Sequence, residues 1–211
     1  MRALLRFLLS LAMVAGLILA VWPLGQTLYG HWNQRSLAAQ WQRASQPKAP
    51  LQKQKPAKPT TRAAGSPALT SLSRAPRKKA RWPLTKLSIP DIDLETFVVQ
   101  GMDSAALRRG PGHDVNSSLP GTGNCVIAGH RNVYGSFFYR LDELMAGAPI
   151  VLENGDGRFT YTVNTVFVTP DTNLTVLQPP APGAPPVLTL ITCTLPHTNN
   201  RIVLQADLSA Q

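Results

Sequence analysis

Polar and apolar positions divide this chain into three unlike stretches. From Phe7 to Leu24 no charged residue interrupts an apolar run, and Arg2 and Arg6 precede it. As a helix that run is about 27 Å long, close to the hydrocarbon thickness of a bilayer, so residues 7–24 are expected to be a transmembrane signal-anchor. A cleaved secretory signal shares the basic start and apolar centre. This run is longer than such centres and no small-x-small site follows it directly, so the uncleaved anchor is preferred. Trp22, Tyr29 and Trp32 suit an interfacial aromatic belt beyond it.

The second stretch is polar without period. Ala44 to Pro83 holds seven prolines and ten Lys or Arg, with no acidic residue and few large apolar ones. Such a segment buries too little surface to offset the entropy of ordering, and residues 25–83 are read as juxtamembrane chain and disordered stalk. Forty such residues reach about 35 Å as a coil and up to about 120 Å in polyproline geometry. The basic run Arg74 to Arg81 is a solvated tether, or alternatively a contact for anionic lipid heads or wall polymers.

The third stretch, 84–211, carries short runs rich in Val, Ile, Leu and Thr: Leu84–Ile89, Leu94–Val99, Cys125–Ala128, Ile150–Leu152, Phe159–Val168, Val187–Thr192 and Ile202–Leu208. Punctuation by Pro, Gly, Asn and Asp between them predicts antiparallel strands. Asn154-Gly155-Asp156-Gly157 predicts a hairpin. Phe137, Phe138, Leu141 and Leu144 are spaced to line one face of a short helix. A small all-β barrel with one core is expected.

Charge sharpens this division. Of 21 Lys and Arg, 14 precede residue 86, and the first acid is Asp91, so the leader and stalk carry the positive charge while 86–211 has seven bases against eleven acids. A nucleic-acid-binding fold carries its basic charge on the folded surface, and this domain does not.

Three strand ends bring chemistry to the domain. Val187 to Thr192 ends in Cys193, Arg201 opens the strand that follows, and Cys125 to Ala128 leads through Gly129 to His130. A thiolate is the nucleophile of thiol chemistry, and a neighbouring cation lowers the cost of forming it. The plainer readings are a buried structural thiol and a hydrogen-bonded strand-end histidine. A Cys125–Cys193 disulfide conflicts with the spacing. Cys125 lies five residues, about 16 Å of strand, before His130, whereas bridged cysteines need Cα atoms within about 7 Å. Zinc held by Cys193, His197 and His130 lacks a familiar ligand spacing and has Arg201 beside it. No Gly-x-Ser-x-Gly is present, which argues against a serine hydrolase.

Thr189-Leu190-Ile191-Thr192-Cys193, with Gly129-His130 upstream and Arg201 downstream, resembles the signature of the sortases, bacterial surface transpeptidases. The likeness runs from about Leu84 to Leu208. It takes in Leu87-Ser88-Ile89-Pro90, Gly110-Pro111-Gly112-His113 and Phe138-Tyr139-Arg140-Leu141-Asp142-Glu143-Leu144. Gly110 to His113 and Tyr134-Gly135-Ser136-Phe137 are most like the class E and D branches. No Asp-Pro-aromatic lid of the pilin-polymerising kind precedes the barrel.

The resemblance implies a closed eight-stranded sortase-type barrel with short helices over 84–211. It implies catalytic roles for Cys193, His130 and Arg201, and substrate contacts at Thr192, His197 and His113, with His113 also ordering its loop. Neither a metal nor a soluble cofactor is expected. The implied partners are surface proteins bearing a C-terminal Leu-Pro-x-Thr-Gly or Leu-Ala-x-Thr-Gly sorting signal, and lipid II or a similar amine acceptor. The implied location is the cell membrane, crossed once, with residues 1–6 cytoplasmic and the catalytic domain outside. A pilin polymerase using a lysine nucleophile, and a non-catalytic membrane-tethered binding protein on the same barrel, are the alternatives.

Overall fold

The computed structural model describes residues 2–45, 82–196 and 198–209. The expected stalk between 46 and 81, together with His197, lies outside the described residues.

The N-terminal apolar run is helical, and the helix does not stop where the run does. Helix α1 spans Arg2–Ser45 without a break, because the polar continuation from Gln26 onward is rich in Leu, Ala, Gln and Arg, which favour helix. By length and composition α1 is able to cross a membrane. Past Leu24 it continues through the juxtamembrane residues as far as Ser45.

Eight strands then form a barrel: β1 (Thr85–Ile89), β2 (Leu94–Gln100), β3 (Gly112–His113), β4 (Asn124–Ala128), β5 (Pro149–Asn154), β6 (Gly157–Pro170), β7 (Val187–Cys193) and β8 (Asn200–Leu208). They close in the order β1-β2-β3-β4-β7-β8-β6-β5. The β2–β3 and β4–β7 joins are parallel and the rest antiparallel. Among the described residues every strand of the ring has a neighbour on both sides, although β3 covers β2 only at Val99 and Gln100. Inward positions of alternating strands fill the centre, with Leu87, Ile127, Ile150, Leu152, Tyr161, Leu188, Leu190 and Leu204 fully buried.

Seven strands fall on the apolar runs named above. The eighth, β3, is two residues long and has no apolar pattern of its own. The hairpin signal is realised as Asn154 pairing with Gly157, with the Asp156 N–H donating to the Asn154 side chain at 2.8 Å. The helix expected over Phe137 to Leu144 is instead a run of turns and one 3₁₀ turn, Leu141–Glu143. Phe138, Leu141 and Leu144 still reach the core, because a spacing of three matches the 3₁₀ repeat as well as a helix face. Positive φ at Tyr134, Gly135 and Ser136 prevents a helix from starting earlier.

Trp82 packs into the core of the barrel. Its buried indole donates to the Val98 carbonyl at 3.1 Å and stacks on the His113 ring at 3.9 Å.

Candidate active site

Strand register brings the three strand-end residues together. Cys193, the last residue of β7, lies directly opposite Arg201 of β8. On the other side of β7, Ala128 of parallel β4 pairs with Ile191, and the Gly129 N–H extends the ladder to the Ile191 carbonyl at 3.0 Å. His130 therefore follows β4 at the level of Cys193. Neighbouring strands are about 4.8 Å apart, so thiol, imidazole and guanidinium rise from three adjacent rows.

Thr192 holds this alignment. Its buried hydroxyl donates to the Gly129 carbonyl at 2.8 Å, tying the end of β7 to the residue before His130. With its one hydroxyl hydrogen used on backbone, Thr192 acts as a strut between β7 and the end of β4. His113 is tied to its own loop. It is buried in β3, with Nε2 3.0 Å from both the Ser118 carbonyl and the Ser117 hydroxyl. These contacts pin the 114–118 loop, and burial holds the imidazole below its ordinary pKa.

His130 is partly enclosed. Burial holds its imidazole below the ordinary value, and the Arg108 guanidinium acts in the same direction. Its ring lies 5.3 Å from that of Tyr134, and Arg108 lies 5.7 Å over the Tyr134 ring. The loop after His130 is clamped by Arg131 to Asp142 at 2.6 Å, and the Phe138 N–H returns to the His130 carbonyl at 3.2 Å.

Arg201 is fixed by its own loop. Nη1 donates to the carbonyls of Asn200 at 2.9 Å and Thr198 at 3.3 Å, and Nη2 pairs with the Asp171 carboxylate at 3.2 Å. Asp171 is in turn held by its N–H on the Asn199 carbonyl at 2.7 Å. Sequence reasoning missed Asp171 because Pro170-Asp171-Thr172-Asn173 reads only as a turn after a strand.

A groove of about 380 Å³ runs up to this pair. Ala128, Ile191 and Val203 form an apolar floor, Leu174, Val176 and Leu177 a wall, and Asp171 and Arg201 the polar end. An extended peptide with small or apolar side chains suits such a surface. Cys125 takes no part. It is fully buried in β4 beside Leu188 and pushed up to about 12 by desolvation, and both cysteines are free.

A barrel closed in this order is the fold of solved sortase structures. A model described as the Sortase domain matches residues 87–209, more than half the chain, and the chain belongs to the sortase family. Its likeness is to classes E and D. It is 34% identical over 129 residues to sortase SrtE1 of Streptomyces coelicolor, a match that covers 54% of this chain and 36% of that one. It is 35% identical over 95 residues to sortase D of Bacillus subtilis, covering 44% and 46%. Among solved structures, sortase E from Streptomyces avermitilis superposes with a TM-score of 0.55 at 32% identity, covering 61% of this chain and 89% of that one. The chain spans about one third to one half of the length of the curated relatives it matches first.

Proposed function

We propose that the protein is a membrane-anchored transpeptidase that joins surface proteins to an amine of the cell-wall precursor. The observation that supports this is strand register: Cys193 lies opposite Arg201 and two residues beyond Ile191, and His130 two beyond Ala128, with Ile191, Ala128 and Arg201 all lining the apolar groove. The sorting motif, of the Leu-Pro-x-Thr-Gly or Leu-Ala-x-Thr-Gly kind, lies along the floor with its threonine carbonyl at Cys193. His130 takes the thiol proton as sulfur attacks, since a neutral imidazole is the form its surroundings favour. Arg201 faces the oxyanion with a charge-assisted donor. The Thr–Gly C–N bond breaks, the proton on His130 leaves with the glycine amine, and a thioester remains on Cys193. An acceptor amine, that of lipid II or a similar precursor, attacks the thioester. It loses a proton to His130, and the thiol is restored.

Anchoring through α1, with the N-terminus inside and the barrel outside, concentrates an enzyme and two membrane-borne substrates in one layer. The test is intact mass of the full chain in detergent after incubation with each motif peptide and an amine. An adduct of peptide through threonine, absent in Cys193→Ala, is expected. If neither peptide is cleaved by folded protein whose Cys193 is reduced, the proposal fails. If a lysine side chain is the preferred acceptor over the wall amine, the activity is polymerisation.

A further inference from the structure

The exposure of α1 changes character at Gly30. From Ser10 to Tyr29 almost every described position is open, but beyond it Gly30, Asn33, Gln34, Leu37, Ala38 and Trp41 are the shielded ones. That spacing is one helix face about 17 Å long. The face lies on the barrel.

Its central contact replaces a missing strand. β3 pairs only with Val99 and Gln100 of β2, which leaves the Phe97 backbone open on that side. Gln34 fills the gap. The Phe97 N–H donates to Gln34 Oε1 at 2.6 Å, and Gln34 Nε2 donates to the carbonyls of Phe97 at 3.1 Å and Arg109 at 3.0 Å. Trp41 packs on the Phe97 ring at 5.9 Å, and His31 meets the edge of Phe137 at 6.0 Å.

Two glycines make the approach possible. A Cβ on Gly30 would sit 2.4 Å from the Tyr134 carbonyl oxygen, and one on Gly110 would sit 2.2 Å from Gln34 Nε2. Glycine within a helix is otherwise unfavourable. Its presence on each side of one contact has a common reason in this docking.

We infer that residues Gly30 to Trp41 of α1 form a strap docked on the open edge of β2 and on the loop after His130, held at β2 by Gln34, and that Gly30 is a positioning residue acting on His130 through Tyr134. The inference rests on the proposed catalytic role of His130 only for its functional half. Gly30 abuts the middle of the loop whose two ends are fixed at His130, and the Tyr134 ring faces the imidazole. With α1 spanning the bilayer over residues 7–24, Gly30 stands about 9 Å beyond the hydrocarbon. The catalytic face then meets the headgroup layer, where lipid-linked substrates are, instead of standing off on a long tether.

Gly30→Ala in the full chain, reconstituted in phosphatidylcholine nanodiscs, tests this. Alanine strengthens the helix itself, so any loss comes from the blocked approach. Hydrogen exchange in a Cys193→Ala background is expected to speed up at least about tenfold at the Phe97 amide and at 134–137, with β7 and β8 unchanged, as local opening predicts. Gln34→Ala should reproduce the change at Phe97. In the Cys193-containing chain, Gly30→Ala should lower kcat several-fold with KM for the peptide unchanged. Exchange identical to the parent in both variants overturns the strap. Faster exchange with unaltered kcat overturns the positioning role. Because exchange needs no turnover, a chain that never transfers peptide still decides whether the strap is docked.

Discussion

Replacing Arg201 by lysine keeps the charge and removes the fork. In the structure the guanidinium makes contacts in two directions at once, to the Thr198 and Asn200 carbonyls and to Asp171. An ammonium is a point donor on a flexible stem and cannot hold both. The Arg201 and Asp171 side chains are 31% and 37% exposed, so water replaces much of what is lost and the stability change should stay near ~1 kcal/mol. For a domain of this size that is a fall in Tm of about 3–6 °C. Catalysis should suffer more, because an oriented donor at a developing oxyanion is worth about 10²–10³ in kcat, or about 2.7–4 kcal/mol. Calorimetry with steady-state cleavage of the sorting peptide separates the two numbers. A lysine variant with parental kcat, or one whose activity loss is no larger than its unfolded fraction explains, would refute the forked-donor reasoning.

Arg108 opposes protonation of His130. Arg108→Gln should therefore raise the imidazole pKa and move the acid limb of the kcat/KM profile toward higher pH, while an unmoved limb would exclude Arg108 from the site's electrostatics. His113 has a folded pKa below its unfolded one, so the unfolded chain binds more protons and stability should fall as pH drops below about 6.5. Denaturant midpoints at pH 7.5 and 5.5 should differ less in His113→Gln than in the parent. Cys125 is buried and pushed up to about 12. One equivalent of iodoacetamide should label the native chain, at Cys193 alone, with a second site appearing only on denaturation.

Much was legible in the chain because it is written locally. Apolar runs marked seven of eight strands, an Asn-Gly-Asp-Gly segment marked a hairpin, and strand ends marked Cys193, His130 and Arg201. Each depends on residues within a few positions of one another, and burial on one face demands the pattern. β3 was silent because two residues carry no period. The 3₁₀ turn at Leu141–Glu143 carries a helix-like pattern because a spacing of three serves both.

The remaining features are products of closure. Which strands pair is a long-range choice, and it alone sets His130 beside Cys193 across the parallel β4–β7 join. The same join turns the Thr192 hydroxyl onto the Gly129 carbonyl. Asp171 reaches Arg201 only because β6 and β8 run together to their ends. Gln34 carries no local signal, and only the Phe97 backbone, 63 positions away and unmatched by β3, makes it part of a strap. Sequence fixes which groups exist and how each segment curls. Hydrogen-bond partners and neighbours across the barrel are settled only when its strands find their register, because backbone groups pair by position in space and not by distance along the chain.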